Sequence, residues 1–170
     1  MIGVRSMDGK LRNMTSLYLR HGDQLLLLYR IGSKVVADSY TASAGGHFEK
    51  EELNDAKTCV LRELYEETGL TEQDIENLSL RYVTLRLKNE EIRQNYYFFA
   101  DLKDCEKVIV SNEGNLKWFP ISELSETPPV MPFSAFYVVK HYAEIGKDTN
   151  ALYAGVAAES GVIFAEMKEF

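Results

Sequence analysis

A glutamate-rich helix that follows a glycine turn is the feature that most constrains this chain. The apolar residues recur at helical spacing: Ala56, Val60, Leu61 and Leu64. Glu63, Glu66 and Glu67 stand at i, i+3 and i+4, so their side chains converge beside that apolar stripe. Like charges at this spacing cost about 0.2–0.5 kcal/mol per pair unless a cation binds between them. Clustered carboxylates suit Mg²⁺ or Mn²⁺, and the pattern therefore predicts a divalent metal site.

The residues around the glutamates support this interpretation over a merely solvated acidic face, which is the commoner meaning of such a pattern. Arg62 can pair with Glu66 at i, i+4 and hold its carboxylate in place. Gly69 is suited to a left-handed cap at the end of the helix. Gly45 and Gly46 permit a tight turn whose carbonyl oxygens are hard ligands for a metal.

The segment resembles the Nudix box, Gly-x5-Glu-x7-Arg-Glu-aliphatic-x-Glu-Glu-x-Gly-aliphatic. Residues 62–70 fill every position of its second half, and Gly46 and Glu52 fit the first half. Nine residues then separate Glu52 from Arg62, where the family pattern has seven. We place the two extra residues in the loop at 51–54, because two residues within the helix would rotate the glutamates by about 200°. The role of Glu52 is left open.

The resemblance implies a function for most of these residues. Glu66 and Glu67 are the first expected metal ligands, the Gly45 carbonyl is a further one, and Arg62 belongs to the catalytic set. Glu63 is expected either to bind the metal or to accept a proton from water.

A second segment, residues 113–124, resembles the Glu-x4-Trp-Phe stretch that many Nudix hydrolases carry before their last helix. In such enzymes a glutamate at the place of Glu113 lies beside the metal as a ligand or base. The choice of base between Glu63 and Glu113 stays open. Trp118 is expected to pack in the core.

The substrate is predicted mainly from missing signatures. Residues 72–104 lack the proline of ADP-ribose-hydrolysing relatives, and no tyrosine lies at the distance typical of dinucleoside polyphosphate relatives. The resemblance therefore favours a nucleoside triphosphate, including oxidised purine forms, cleaved to a monophosphate and pyrophosphate. Tyr18, Met131 and Phe133 are candidates to contact the base. The alternatives are a hydrolase of ADP-ribose or another diphosphate derivative, and a non-catalytic sensor of a nucleotide or sugar phosphate.

The rest of the chain alternates strands and helices. Hydrophobic patterning predicts strands over residues 14–20, 24–30, 78–87, 92–100 and 116–119, a helix over 133–145 and a closing hairpin over 152–158 and 162–167. This order predicts an α/β Nudix fold in which a mixed β-sheet is sandwiched between α-helices. One domain over residues 1–170 is expected, with residues 1–12 as an optional N-terminal arm.

Composition bounds the partners and location. A net charge of −7 argues against binding duplex nucleic acid, whose phosphates need a basic surface. Neither a signal peptide nor an apolar run long enough to span a membrane is visible, and two distant cysteines give no zinc spacing. We therefore expect a cytoplasmic enzyme that acts on a small nucleotide with Mg²⁺ or Mn²⁺, and a homodimer is left open.

Overall fold

The central strands contain runs of consecutive apolar residues, at 17–19, 25–28 and 96–100, as expected for a sheet that is covered on both faces by helices. A computed structural model describes residues 10–30, 38–107 and 109–168. Its strands are β1 Lys10–His21, β2 Gln24–Arg30, β3 Ser39–Thr41, β4 Ile75–Lys88, β5 Glu91–Leu102, β6 Gly114–Pro120, β7 Leu152–Ala158 and β8 Gly161–Met167. Its helices are α1 Ala56–Thr68, α2 Ile121–Glu126 and α3 Phe133–Glu144.

Each face of the sheet carries its own hydrophobic core. On one face Leu17 and Leu19 of β1 pack with Val60 and Leu64 of α1. On the other face the core contains residues of β1, β5, α2 and α3: Tyr18, Phe99, Leu124, Val138, Val139 and Tyr142. Successive residues of a strand point to opposite faces, so neighbours such as Leu17 and Tyr18 enter different cores. The predicted sheet between helices is confirmed.

The sheet order is β3-β2-β1-β5-β4-β7-β8, and β6 pairs with β2. β1 lies parallel to β5 and β4 lies parallel to β7, whereas β4–β5 and β7–β8 are antiparallel, so the sheet is mixed. β1 pairs with β2 only near their shared turn, at residues 19–21 and 24–26. The rest of that edge of β1 bonds the loop through isolated bridges from Leu17 to Ala44 and from Met14 to His47. These bridges fix the glycine turn against β1.

Helix α1 begins and ends as its sequence predicts. The Asp55 carboxylate accepts a hydrogen bond from the Thr58 N–H at 3.0 Å and caps the first turn. Gly69 has φ 71°, in the left-handed region, and its N–H donates to the Tyr65 carbonyl at 2.9 Å. The helix starts only at Ala56, after a single 3₁₀ turn at Lys50–Glu52 and the left-handed Asn54. The extra residues therefore lie in the loop, as predicted.

The other predicted elements are confirmed with shifted ends, and two short ones were missed. β3 spans three residues and α2 spans six, too few for a clear periodic pattern. An N-terminal arm was expected over residues 1–12. Residues 1–9 of it lie outside the described residues, and residues 10–12 belong to β1. Within the described ranges, no helix is long and apolar enough to cross a bilayer.

Candidate active site

The glycine turn lets the carboxylates of α1 approach the backbone. Gly45 has φ 151°, and a Cβ there would lie 2.3 Å from the Thr15 carbonyl oxygen. At Gly46 a Cβ would lie 2.2 Å from Glu63 Oε1. The Gly45 N–H donates to Glu67 Oε2 at 3.0 Å, and the Gly46 carbonyl accepts from the Thr15 N–H at 2.8 Å. Among the described residues nothing donates to the Gly45 carbonyl, which leaves this oxygen available to a ligand.

Arg62 joins the loop to the helix. Its Nε and Nη2 donate to the two oxygens of Glu52 at 2.7 and 2.9 Å, a bidentate pair. Its Nη1 donates to Glu63 Oε1 at 2.9 Å and to Glu66 Oε2 at 3.0 Å. Nη2 also donates to the His47 carbonyl at 3.0 Å. The predicted Arg62–Glu66 pair is confirmed, and the residue whose role was open, Glu52, anchors Arg62.

Burial sets the acidity of the glutamates on α1. It raises the pKa of Glu67 to about 7. The hydrogen bond from the Gly45 N–H and the charge of Arg30 lower this pKa, whereas the negative charges of Glu113 and Glu63 raise it. Burial also raises the pKa of Glu63, against the opposing effect of Arg62. These carboxylates repel one another at a partly buried site, so a bound cation would stabilise their charged forms.

Glu113 approaches Glu67 of α1 from a different segment of the chain. It precedes β6, and the pairing of β6 with β2 brings Gly114 opposite Arg30. Arg30 forms an ion pair with Glu113. Trp118, further along β6, packs against the α1-side core, as predicted.

The predicted residues line a cavity of about 410 Å³, which we call the acidic cavity. Its wall contains five of them, drawn from the turn, α1 and the residue before β6: Gly45, Arg62, Glu63, Glu67 and Glu113. Glu66 does not belong to this wall. Its side chain is 54% exposed and is held by Arg62 on the outer side of the helix.

The carboxylates and the Gly45 carbonyl at the acidic cavity offer hard oxygens, which fit Mg²⁺ or Mn²⁺ better than softer metals. Among the described residues, no three His, Cys, Asp or Glu side chains form a ready-made metal cluster. Ion pairs with arginines hold these glutamates apart: Arg62 binds Glu63 and Glu66, whereas Arg30 binds Glu113. The donor set therefore fits the expected metal in chemistry, with arginines neutralising part of its charge.

A second cavity of about 330 Å³ opens beside the first, and we call it the adjoining cavity. Several residues line both, among them Met14, Arg30, Gly45 and Glu67. Tyr18 and Phe133, two of the predicted substrate-binding residues, line the adjoining cavity. The third, Met131, instead packs against the core on the α3 side.

Tyr18 has a polar atom available to a ligand. The residue is fully buried and stacks on Phe99, with ring centroids 5.1 Å apart. Its buried hydroxyl has no hydrogen-bond partner in the described part of the chain. Buried hydroxyls are normally paired, so this one suits a bound polar group.

Sequence reasoning missed the cations of these cavities. Arg12, Arg86 and Arg93 line the adjoining cavity, and Arg30 lines both. Burial lowers the pKa of His47, and the charges of Arg12 and Arg93 lower it further, so this histidine is neutral near pH 7. Alternation along a strand determines which face each arginine occupies. Whether arginines of different strands lie together depends on strand register, which a single sequence does not reveal.

This mixed sheet between helices, with a glycine turn facing an arginine-held glutamate cluster, is the architecture of a Nudix pyrophosphohydrolase. A family model described as the NUDIX domain matches residues 10–142, and the chain belongs to this family. The family, the fold and the enzyme class that the sequence predicted are thereby confirmed. No curated protein sequence matches the chain significantly.

Solved structures agree with the fold. A mutator MutT protein from Bacillus halodurans is 23% identical with a TM-score of 0.63, and the alignment covers 94% of this chain and 99% of that one. A MutT protein from Methanosarcina mazei Go1 is 17% identical with a TM-score of 0.62, covering 85% and 100%. A NUDIX hydrolase from Nitrosomonas europaea is 19% identical with a TM-score of 0.59, covering 87% and 79%.

Proposed function

We propose that this protein is a metal-dependent hydrolase of nucleoside diphosphate-linked substrates, with a (d)NTP or an oxidised purine (d)NTP as the substrate. The products are a monophosphate and pyrophosphate. One observation carries the proposal: Glu63, Glu67 and Glu113 line the acidic cavity together with Gly45, whose carbonyl accepts no hydrogen bond from a described residue. This cavity adjoins a second one that is lined by arginines and aromatic rings.

The residues that would hold Mg²⁺ or Mn²⁺ are Glu67, Glu63, Glu66 and the Gly45 carbonyl. Glu67 is the strongest candidate, because it is partly buried and two neighbouring carboxylates, Glu113 and Glu63, repel its negative charge. When bound, the ion would neutralise phosphate oxygens and make the attacking water more acidic.

The protein's own groups supply positioning and proton transfer. Arg62 holds the Glu63 carboxylate at the cavity wall through the Nη1 contact. Glu63 or Glu113 would accept the proton of the attacking water, since both line the cavity. Tyr18 would bind the nucleoside through its hydroxyl, which has no partner among the described residues, and Phe133 would line the same substrate cavity.

The experiment is a substrate panel with Mg²⁺, comparing single nucleoside triphosphates, ADP-ribose and dinucleoside polyphosphates by their separated products. Glu67→Gln should lower turnover by more than about 100-fold without unfolding the protein. Glu123→Gln, on the exposed side of α2, is the matched control and should keep full activity. Full activity of Glu66→Gln would remove Glu66 from the ligand set.

Two results would redirect the proposal. ADP-ribose turnover far above that of every triphosphate would overturn the substrate and keep the enzyme class. Tight nucleotide binding without turnover would support a sensor, which the arginine pairs on Glu63 and Glu113 favour because they already neutralise these acids. A single domain over residues 1–170 and a cytoplasmic location stay predictions, and a homodimer stays an open alternative.

A further inference from the structure

Three arginines form a row across neighbouring strands at the wall of the adjoining cavity. Arg12 of β1 pairs in register with Arg93 of β5, and Arg93 pairs with Arg86 of β4. Residues in register on adjacent strands point to the same face of a sheet. All three line the adjoining cavity. We call them the arginine row.

Among the described residues, one carboxylate neutralises only part of the charge of the row. Glu91 accepts from Arg93 Nε at 2.7 Å and lies 3.4 Å from Arg12 Nε. Arg86 forms no ion pair with a described residue, and its guanidinium lies 4.5 Å from the centre of the Phe133 ring. Two positions further along the paired strands, Lys10 and Lys88 lie in register on either side of Glu91. The three arginines therefore share a single ion-pair partner among the described residues, and Arg86 does not contact it.

Such a row opposes folding unless something compensates it, because like charges directly opposite on a sheet are destabilising. The chain as a whole carries a net charge of −7, so a basic cluster is not a consequence of its composition. Arginines bind phosphate through paired N–H groups and are suited to a recessed site. The chemistry of the row therefore fits a phosphate group.

The arginine row lies close to the acidic cavity, because a residue of β1 near Arg12 lines both cavities. Met14 lies two residues from Arg12 on β1 and lines both cavities. Two residues of a strand span about 7 Å, which is within the reach of an arginine side chain. Tyr18 lies on the other side of Met14 along the same strand, at the aromatic part of the cavity.

We propose that the arginine row binds the terminal phosphate of a nucleoside triphosphate and makes this protein prefer triphosphates over diphosphates. This inference rests on the proposed function, since it takes the diphosphate that is cleaved to lie in the acidic cavity. The nucleoside then extends toward Tyr18, and the terminal phosphate extends toward Arg12, Arg86 and Arg93.

The test measures binding without turnover. Calorimetry with Mg²⁺ compares α,β-methylene triphosphate and diphosphate analogues of adenosine and guanosine, for the full chain and for Arg86→Gln and Arg93→Gln. Each substitution should weaken triphosphate binding about tenfold, the loss expected for one charge-assisted hydrogen bond, and diphosphate binding less than about twofold. Lys57→Gln removes an exposed positive charge away from both cavities and should change neither.

Thermal melting checks that the variants fold, and Arg86→Gln should melt near the parent because no carboxylate of the described residues pairs with this arginine. Unchanged triphosphate binding in both variants, or equal weakening for triphosphate and diphosphate, would overturn the inference. Tighter, row-dependent binding of a nucleoside 3′-phosphate 5′-diphosphate would overturn the assignment to the terminal phosphate. Turnover is assayed separately, so row-dependent binding without hydrolysis would overturn the proposed function alone.

Discussion

Removing Glu52 should show how much the active-site helix depends on its loop. The Glu52 side chain is 6% exposed and makes two hydrogen bonds to Arg62, whose own side chain is 22% exposed. Arg62 lowers the pKa of Glu52 from 4.5 to about 2. That difference corresponds to an upper limit of roughly 3.5 kcal/mol of stability. Because Arg62 is partly solvated and keeps Glu63, Glu66 and the His47 carbonyl, we expect Glu52→Ala to lower the free energy of unfolding by about 2 kcal/mol.

Urea unfolding of the parent and Glu52→Ala over a range of pH measures this contribution. A carboxylate with a lowered pKa stabilises the fold above its unfolded pKa and loses that effect as pH falls through its folded pKa. The difference between the two proteins should therefore be full above pH 4.5 and shrink as pH falls toward about 2. Glu51→Ala, the exposed neighbour, is the matched control and should cost less than about 0.5 kcal/mol. A loss as small as that of the control, or one that does not change with pH, would refute the argument.

Two further predictions test the glycine turn and a half-buried histidine. Gly45→Ala should destabilise the protein by about 2–4 kcal/mol in urea unfolding, because its Cβ would meet the Thr15 carbonyl, whereas Gly22→Ala, with open space around it, should cost about 1 kcal/mol. Equal losses would contradict the clash. Burial lowers the pKa of His141 below 6.5, so its neutral form is favoured in the fold, and stability should fall as pH drops below 6.5. Melting curves should show a smaller fall between about pH 7 and 5 for His141→Gln. The same fall in both would reject this role.

The sequence alone determined the features that depend on local spacing. The glutamate cluster of α1, the Arg62–Glu66 pair and the Gly69 cap all follow from residues within a few turns of one helix. The main strands and the two long helices follow from hydrophobic periodicity, and this is why they were predicted to within a few residues. The short elements β3 and α2 contain too few residues to show a period.

The tertiary structure decided everything that depends on pairing between distant segments. Arg30 meets Glu113 because β6 pairs with β2, and Arg62 meets Glu52 because the lengthened loop folds back on α1. The arginine row exists because β1, β5 and β4 lie in one register, and a shift of one residue would turn these side chains to the opposite face. Register and loop closure are set by packing across the whole sheet, so no local pattern in the sequence could have placed these charges together.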